Sequence, residues 1–463
     1  MLAMKKMRNY GLPRINQLRR LFGGAGDGTA GVIFRGGVTS FLLASASIVL
    51  GFIIHILLSR VLGVIDYGLY SIALGWCLML AGPATAGMDY TVLRFAPVYF
   101  ENGQFYLLRR LAGFVACILV ATSVVTFAIL LTLTWLVPDV ISFSAETGVG
   151  WMSLLIGASA FLAAFSAFFR GARMIFYSQF YQQIVRSVLL IGVLVAMHSI
   201  GRRFDVSDAI VATALAAAGA FVVLSLHLIV VFKRQASDTG GDAPMRTWLA
   251  LGGVNLLITS LQQTQVQGNI VLLGALSTAE QAGLYSVAAR LAAFVTFGLS
   301  ALASITAPMI VSAWVRGDRP GLARIAVVNA RLATLAAAVT TLALIVAGPY
   351  VLTLFGQAFA PSYPILLVLL ASGLFSALTG PCANLLLMTN RQHEMLIIGL
   401  ASMAVHVSLA TLLIPSFGAA GGAIAVAGGI LLGNAAMVWR VWSGLRIDAT
   451  VLGFNAPGAT ARK

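Results

Sequence analysis

Charged side chains are scarce in this chain. Only 9% of its 463 residues are Asp, Glu, Lys or Arg, whereas 60% are hydrophobic. Soluble domains carry about 25% charged residues, so a water-soluble fold of this size could not cover its surface. No polar stretch is long enough to form a separate soluble domain. Lipid is the solvent that suits this composition, and the sequence predicts an integral membrane protein.

Cysteines and catalytic patterns are also rare. The three cysteines, Cys77, Cys117 and Cys382, lie in or beside apolar runs. Their spacing fits neither a metal site nor a disulfide framework, so we interpret them as small buried hydrophobes. The chain shows no Gly-rich phosphate loop, no Ser/His/Asp arrangement and no paired carboxylates. We therefore expect no ATP hydrolysis, no enzymatic activity and no cofactor.

The net charge of +15 is distributed as short caps between apolar runs. A nucleic-acid surface would cluster on one folded face, so nucleic acid is not an expected partner. Residues 1–36 carry seven Lys/Arg but no apolar core before a small-residue cleavage site, which argues against a cleavable signal peptide. Residues 14–22 could form a basic amphipathic helix on an anionic leaflet, or the tail could be disordered and only fix the orientation.

Twelve stretches are long and apolar enough to cross a bilayer, which takes about 20 residues. The predicted fold is therefore an all-α polytopic membrane protein; the family resemblance described below implies the bacterial cytoplasmic (inner) membrane. The predicted spans are 37–62, 68–92, 111–137, 149–170, 180–200, 209–232, 248–274, 283–312, 327–349, 364–388, 395–415 and 419–440.

The basic residues test this count. With both termini in the cytoplasm, the cytoplasmic loops and tails hold 24 of the 29 Lys and Arg residues. The outer loops hold only Arg202 and Arg203, and the other three lie within spans. This asymmetry follows the positive-inside rule. One missed or extra span would have reversed the side assigned to every later loop and removed the asymmetry.

A short repeat divides the chain into halves. The segment GLYSIA at 68–73 recurs as GLYSVA at 283–288, and both follow a span that ends in Leu-Gly. An even number of spans per half predicts a parallel repeat around a central cleft. The predicted parts are a basic tail 1–36, a six-helix lobe 37–232, a linker 233–247, a six-helix lobe 248–442 and a tail 443–463.

Small and polar residues line one face of the first span and amide residues line one face of the seventh; the two spans correspond in the repeat. They are Ser40, Ala44, Ser47, Gly51, His55 and Ser59 in the first span and Asn255, Gln262, Gln265 and Asn269 in the seventh. Polar groups at membrane depth usually face a bundle interior or a wet cavity, so we expect these faces to form cavity walls. Packing between helices is the alternative, because small and amide residues also join helices.

Three arginines and one acid lie within spans. Arg186 and Arg290 are about seven residues inside, roughly 10 Å deep, and either could face a cavity or snorkel; Arg60 is near an outer helix end. Asp89 is the only intramembrane acid. It is a candidate for ion coupling or for a structural pair with Arg94 or Arg170. The isolated His198, His227 and His406 are expected to be packed.

Several motifs resemble the polysaccharide transporter branch of the multidrug/oligosaccharidyl-lipid/polysaccharide exporter superfamily, which includes Wzx-type flippases. They are RVLGVIDYGLYS at 60–71, GMDYTVLRF at 87–95, NRQ at 390–392 and IPSFGAAGGAIA at 414–425. The resemblance covers roughly residues 30–440. It implies a flippase for oligosaccharides on a polyprenyl pyrophosphate, serving O-antigen, capsule or exopolysaccharide synthesis by alternating access. It also implies membrane lipids, and possible polymerases and glycosyltransferases, as partners.

Three alternatives remain open from the sequence. A cation-coupled drug antiporter of the same superfamily would rely on intramembrane acids, of which this chain has one. A membrane enzyme of glycan assembly would usually need a large outer loop. A scaffold protein would not need polar faces on repeat-related helices. Arginine suits phosphate and amides suit sugar hydroxyls, so the residues favour an anionic glycolipid.

Overall fold

The computed structural model describes residues 29–136, 148–199, 204–233, 243–389 and 391–453. Within them, the secondary structure is helical throughout, without a strand, which confirms the predicted all-α membrane fold. The candidate amphipathic helix at 14–22 and both outer arginines, Arg202 and Arg203, lie outside the described residues. We name the two ends of the bundle outer and inner according to the orientation that the arginine distribution predicts.

The helices are Thr29–Ala84, Met88–Glu101, Phe105–Leu136, Gly148–Gly171, Ile175–Gln179, a π-helical turn Phe180–Val185, Arg186–Ser199, Val206–Lys233, Met245–Leu276, Ala279–Val315, Arg319–Phe355, a 3₁₀ turn Gln357–Phe359, Ser362–Leu378, Cys382–Met388 and Gln392–Leu445. Eight helical stretches are long and apolar enough to cross a membrane, and one of them is Ile175–Met197, which includes the π-helical turn. Ser362–Leu378 with Cys382–Met388 forms a ninth span bent by 49°.

Two of the long helices each contain two predicted spans. Gly63 (φ 76°, ψ −178°) interrupts Thr29–Ala84, and Gly418 (φ 54°, ψ −130°) interrupts Gln392–Leu445. Only these glycines leave helical geometry, and glycine reaches positive φ without steric cost. Met245–Leu276 completes the twelve predicted spans in the described part of the chain; its amide side chains make it less apolar than the eight.

The second and tenth of the predicted spans are each broken into two helices. The second span ends at Ala84 and resumes at Met88, because Pro83 lacks an N–H and Gly87 is left-handed (φ 65°). The tenth span ends at Leu378 and resumes at Cys382. At this break, residues 446–453, which we call the C-terminal segment, replace a lost helical hydrogen bond: the Val451 N–H donates to the Leu378 carbonyl at 3.1 Å.

The second and seventh spans run side by side and join the two lobes. A Cβ added to Gly75, Gly82 or Gly87 would lie within 2.6 Å of atoms of the seventh span. Small residues permit this close approach of backbones. Near the inner end, Trp248 is fully buried and packs against the rings of Phe95, Tyr99 and Phe114. The two lobes are therefore tightly packed against each other along the second and seventh spans.

The outer ends of the lobes are also in contact. Gly68 and Gly283, the first residues of the two repeat motifs, approach the opposite hairpin so closely that a Cβ on Gly68 would lie 1.8 Å from the Ala279 carbonyl oxygen. The Ser59 hydroxyl donates to the Phe355 carbonyl at 3.1 Å, and Arg60 Nε donates to the Leu354 carbonyl at 2.7 Å. The structure therefore represents a state whose outer mouth is closed.

Candidate functional site

A cavity of about 270 Å³ lies between the N-terminal lobe and the seventh span. Its lining comes from four spans: Leu78, Ala81, Gly82, Thr85 and Asp89 of the second, Ser159, Leu162 and Ala163 of the fourth, Gln182 and Arg186 of the fifth, and Thr259, Gln262 and Gln263 of the seventh. The cavity therefore combines one acid, one cation, three amides and three hydroxyls at membrane depth. Such groups are costly in lipid and usually indicate a site.

An irregular turn in the fifth span positions two of these groups. Phe180–Val185 is π-helical, and α-helix resumes at Arg186. Single π turns inside α-helices often occur at functional sites. Here the turn places Gln182 and Arg186 on the same cavity wall. Gln182 Nε2 also donates to the Ser166 hydroxyl, which ties the turn to the fourth span.

Arg186 has a cationic head without a protein counter-ion. No carboxylate pairs with it and no hydrogen bond reaches its guanidinium from the described residues, although it lines a cavity that contains Asp89. Nearby, the Ser159 hydroxyl is buried and also lacks a hydrogen-bond partner. A cation without a counter-ion at membrane depth is costly, and an unsatisfied buried hydroxyl calls for an explanation. An anionic, hydrogen-bonding ligand would satisfy both groups.

Asp89 lies at the inner end of the cavity, just after the break in the second span. Its carboxylate accepts a hydrogen bond from the Thr85 hydroxyl at 3.4 Å. Within the described residues it forms no salt bridge with Arg94 or Arg170 in this state. Arg94 is exposed, and Arg170 Nε is buried without a partner. A role for Asp89 in coupling stays a prediction.

Arg290 belongs to a second polar group, nearer the outer end. Its Nε donates to the Tyr67 hydroxyl at 3.1 Å, and that hydroxyl lies 3.4 Å from His55 Nδ1. This group joins the lobes, because Arg290 is on the eighth span and its two partners are on the first and second. Tyr70 packs against this group, because its ring centroid lies 6.3 Å from that of Tyr67 and 6.5 Å from that of His55.

Arg60 lies away from both groups. It is exposed and donates to a carbonyl at the outer end of the ninth span. Ser47, although on the same face of the first span as His55, is half-buried and does not line the cavity. Of the first span's polar face, His55 is therefore the member that the structure brings near the charged residues.

The polar face of the seventh span is divided between two environments. Gln262 lines the cavity, but Gln265 Nε2 instead donates to the Gly399 carbonyl of the eleventh span at 3.3 Å. Asn269 is buried, with Oδ1 3.1 Å from His406 Nε2, as expected for a packed histidine. Asn255 is buried and donates to Leu251 of its own helix.

Sequence reasoning missed Tyr67, Tyr70, Gln182 and Gln263. Gln182 precedes Arg186 by four residues, a spacing that puts two side chains on one helical face, so it could have been found. Tyr70 lies inside the repeat motif GLYSIA, which was used only to divide the chain into halves. Gln263 points to the cavity because the lobes meet along the second span, where its Nε2 donates to the Leu78 carbonyl at 2.9 Å.

The chain has the fold of a class of two-lobed, twelve-span transporters. It is similar to the lipid II flippase MurJ in an inward closed conformation (TM-score 0.68, 12% identity, 87% of each chain). It is also similar to an inward-facing multidrug resistance MATE family transporter of the MOP superfamily (TM-score 0.65, 15% identity, 88% of this chain and 95% of that one).

A third similar structure is a MOP superfamily transporter from Pyrococcus furiosus, described as having a binding pocket of reverse polarity (TM-score 0.58, 15% identity, 89% of this chain and 96% of that one). No family model matches the chain, and no curated protein sequence does either. At these identities the likeness establishes the fold. It confirms a multi-pass membrane protein with the architecture of this superfamily and does not distinguish its branches.

Proposed function

We propose that the protein is a flippase that moves a polyprenyl-pyrophosphate-linked oligosaccharide across the bacterial cytoplasmic membrane. The observation that carries the proposal is Arg186, a cation without a counter-ion among the described residues, in a polar cavity at membrane depth. A pyrophosphate group would supply the missing negative charge. Arginine binds phosphate oxygens through two parallel N–H donors, which adds geometric selectivity to the charge.

The other cavity groups suit a sugar next to the phosphates. Gln182, Gln262 and Gln263 each offer both donors and acceptors, and the hydroxyls of Ser159 and Thr259 do the same. The cavity of about 270 Å³ is slightly smaller than typical small-molecule sites, which range over about 300–1,000 Å³. In this state it would hold the pyrophosphate and an adjoining sugar, while the polyprenyl tail stays in lipid.

Transport would follow alternating access. The outer mouth is closed by Ser59, Arg60 and the glycine contact, so the head group would enter from the inner side. Separation of the lobes at their outer ends would then expose the group formed by Arg290, Tyr67 and His55. Arg290 would provide a second cation for the head group, nearer the outer side. The product would be available to polymerases and glycosyltransferases of polysaccharide synthesis, which we propose as functional partners.

A cation-coupled drug antiporter is the second candidate, because Asp89 lines the same cavity. An ionised Asp89 could attract an organic cation. Arg186 would repel that cation from the same space, since like charges at close range cost several kcal/mol. The flippase is therefore the better-supported function.

The test is the sidedness of lipid-linked glycans in cells that carry the protein as their sole flippase. Depletion should confine the glycans to the inner leaflet, and Arg186→Ala or Arg290→Ala should give the same result at normal protein levels. Arg324→Ala is the control, because Arg324 is exposed and no described residue bonds to it. Glycans that still reach the outer leaflet after depletion would refute the proposal, and full export by either Ala variant would remove that arginine from the mechanism.

A further inference from the structure

An apolar groove of about 420 Å³ lies on the C-terminal lobe, at the inner ends of the tenth and twelfth spans. Its walls are Phe375, Thr379, Ala435, Val438, Trp439 and Trp442. None of these residues lines the cavity of the proposed site. The two indoles are 62% and 54% exposed. Tryptophan at this depth is typical of a membrane interface, where the ring contacts both acyl chains and head groups.

The C-terminal segment closes the inner end of the groove. Thr450 contributes to the lining, and the flanking Ile447 and Ala449 are buried. Arg331 fastens the segment by donating to the carbonyls of Val451 and Gly453 at 3.5 and 3.4 Å. The groove therefore has a fixed floor at the level where lipid head groups begin.

Two guanidinium groups lie over the tryptophan rings at this level. The Arg440 guanidinium carbon is 5.9 Å from the Trp439 ring centroid, and that of Arg446 is 5.6 Å from the Trp442 ring centroid. Arg440 is also paired with Glu394 at 3.0 Å. Arg446 is exposed and has no ion-pair partner among the described residues. Stacking on an aromatic face leaves the edge of a guanidinium free for a bidentate anion.

Acidic groups near Arg446 are engaged elsewhere. The Asp448 carboxylate accepts hydrogen bonds from the Thr450 backbone N–H at 3.0 Å and from the Thr450 hydroxyl at 2.7 Å. Glu394 is held by Arg391 and Arg440. The surface around the groove mouth thus keeps an excess of positive charge, which complements anionic lipids of the inner leaflet.

We propose that this groove binds an anionic phospholipid of the inner leaflet. One acyl chain occupies the groove between the tenth and twelfth spans, and the phosphate sits on Arg446 with the two indoles at the interface. The occupant is a lipid because the groove is apolar along its length and has its only free cation, within the described residues, at the end where head groups lie.

The test uses the purified full-length chain in detergent and native mass spectrometry with phosphatidylglycerol or phosphatidylcholine of identical chains. Wild type should retain phosphatidylglycerol preferentially. Arg446→Gln should reduce that preference about five-fold, as expected for one basic residue at an anionic lipid surface. Ala435→Phe, which fills the groove and keeps every cation, should reduce retention of both lipids. Arg324→Gln is the matched control and should change neither.

Equal retention of the two lipids by wild type would overturn the proposal. An unchanged preference in Arg446→Gln would do so as well, since the phosphate would then bind elsewhere. Displacement of the bound phosphatidylglycerol by millimolar inorganic phosphate would show a site for soluble anions rather than for a lipid, and would also refute it.

Discussion

The two lobes share a framework but differ in what their corresponding spans carry. The offset between the repeat motifs, from Gly68 to Gly283, is 215 residues. At that offset Gln182 and Arg186 of the fifth span correspond to Ile397 and Ala401 of the eleventh. The fifth span has a π-helical turn at this point, whereas the eleventh is regular α-helix. The cavity consequently lies in the N-terminal lobe, with the seventh span as its far wall.

This difference separates the two uses of polar residues in a membrane. In the N-terminal lobe, Arg186 and the Ser159 hydroxyl lack partners among the described residues and line a cavity. In the C-terminal lobe, Asn269 Oδ1 contacts the His406 ring and both residues are buried; Asn269 Nδ2 has no partner there, but neither residue lines the cavity. Unpaired polar groups at a cavity favour binding, whereas paired ones favour helix packing. The repeat therefore accounts for the corresponding spans of the two lobes, and the cavity lies where those spans differ.

The largest effect is expected from the N-terminal lobe's cation. Arg186→Ala should reduce glycan translocation about 10- to 100-fold, because hydrogen bonds to charged groups contribute about 1.5–3 kcal/mol. Arg186→Lys should retain part of the activity, since it keeps the charge but not the bidentate geometry. Ala401→Ser, at the corresponding position of the other lobe, is the control. Equal translocation by wild type and Arg186→Ala would show that the difference between the lobes at this position does not determine transport.

The outer contact between the lobes should be sensitive to one methyl group. Gly68→Ala would place its Cβ 1.8 Å from the Ala279 carbonyl oxygen, and Gly283→Ala would place its Cβ 2.6 Å from that of Val64. Overpacking of this kind costs about 1–3 kcal/mol, so both variants should unfold at lower temperature in detergent. Gly51→Ala is the control, since nothing lies within 4 Å of its Cβ. Unchanged thermal unfolding of Gly68→Ala would contradict the closed outer seam.

The polar pair of the C-terminal lobe should matter for stability alone. Asn269→Ala leaves the His406 ring without its partner and should destabilise the protein by about 1 kcal/mol. Asn255→Ala should cost less, because the Asn255 amide bonds only to its own helix. Both variants, once folded, should translocate glycan within about two-fold of wild type. Selective loss of transport in Asn269→Ala would assign a functional role to this lobe's polar residues.

The smallest effect is expected at Arg60. Its single bond to the Leu354 carbonyl is exposed, and such bonds contribute about 0.5 kcal/mol. Arg60→Ala should therefore increase hydrogen exchange in a peptide covering residues 353–362 about two-fold, with Arg324→Ala unchanged. A large loss of transport in Arg60→Ala at normal stability would instead place Arg60 on the substrate path.

The sequence was sufficient for the helical class, the twelve spans and the parallel halves, because hydropathy and the positive-inside rule act on whole segments. It did not predict the breaks at 85–87 and 379–381, which depend on tertiary contacts such as the Val451–Leu378 bond. The motif resemblance agrees with the superfamily fold, while the polysaccharide branch stays a prediction.

The site was predictable only in part. Arg186 and Gln262 were expected at a cavity and line it, yet the remaining stripe of the seventh span was expected on the same wall. Helical spacing gives the direction of a side chain around its own axis, but not which neighbour it faces. Gln265 and Asn269 therefore turned out to contact the eleventh span, while Gln263 reached the cavity.

The most direct test of the central claim is reconstitution of the purified protein in liposomes with two substrates compared side by side. One is a fluorescent polyprenyl-pyrophosphate-linked oligosaccharide, and the other is a cationic dye under an imposed ion gradient. The asymmetric cationic cavity predicts translocation of the glycolipid, loss of that activity in Arg186→Ala, and no dye transport. Dye transport that disappears in Asp89→Asn, together with an immobile glycolipid, would contradict the account.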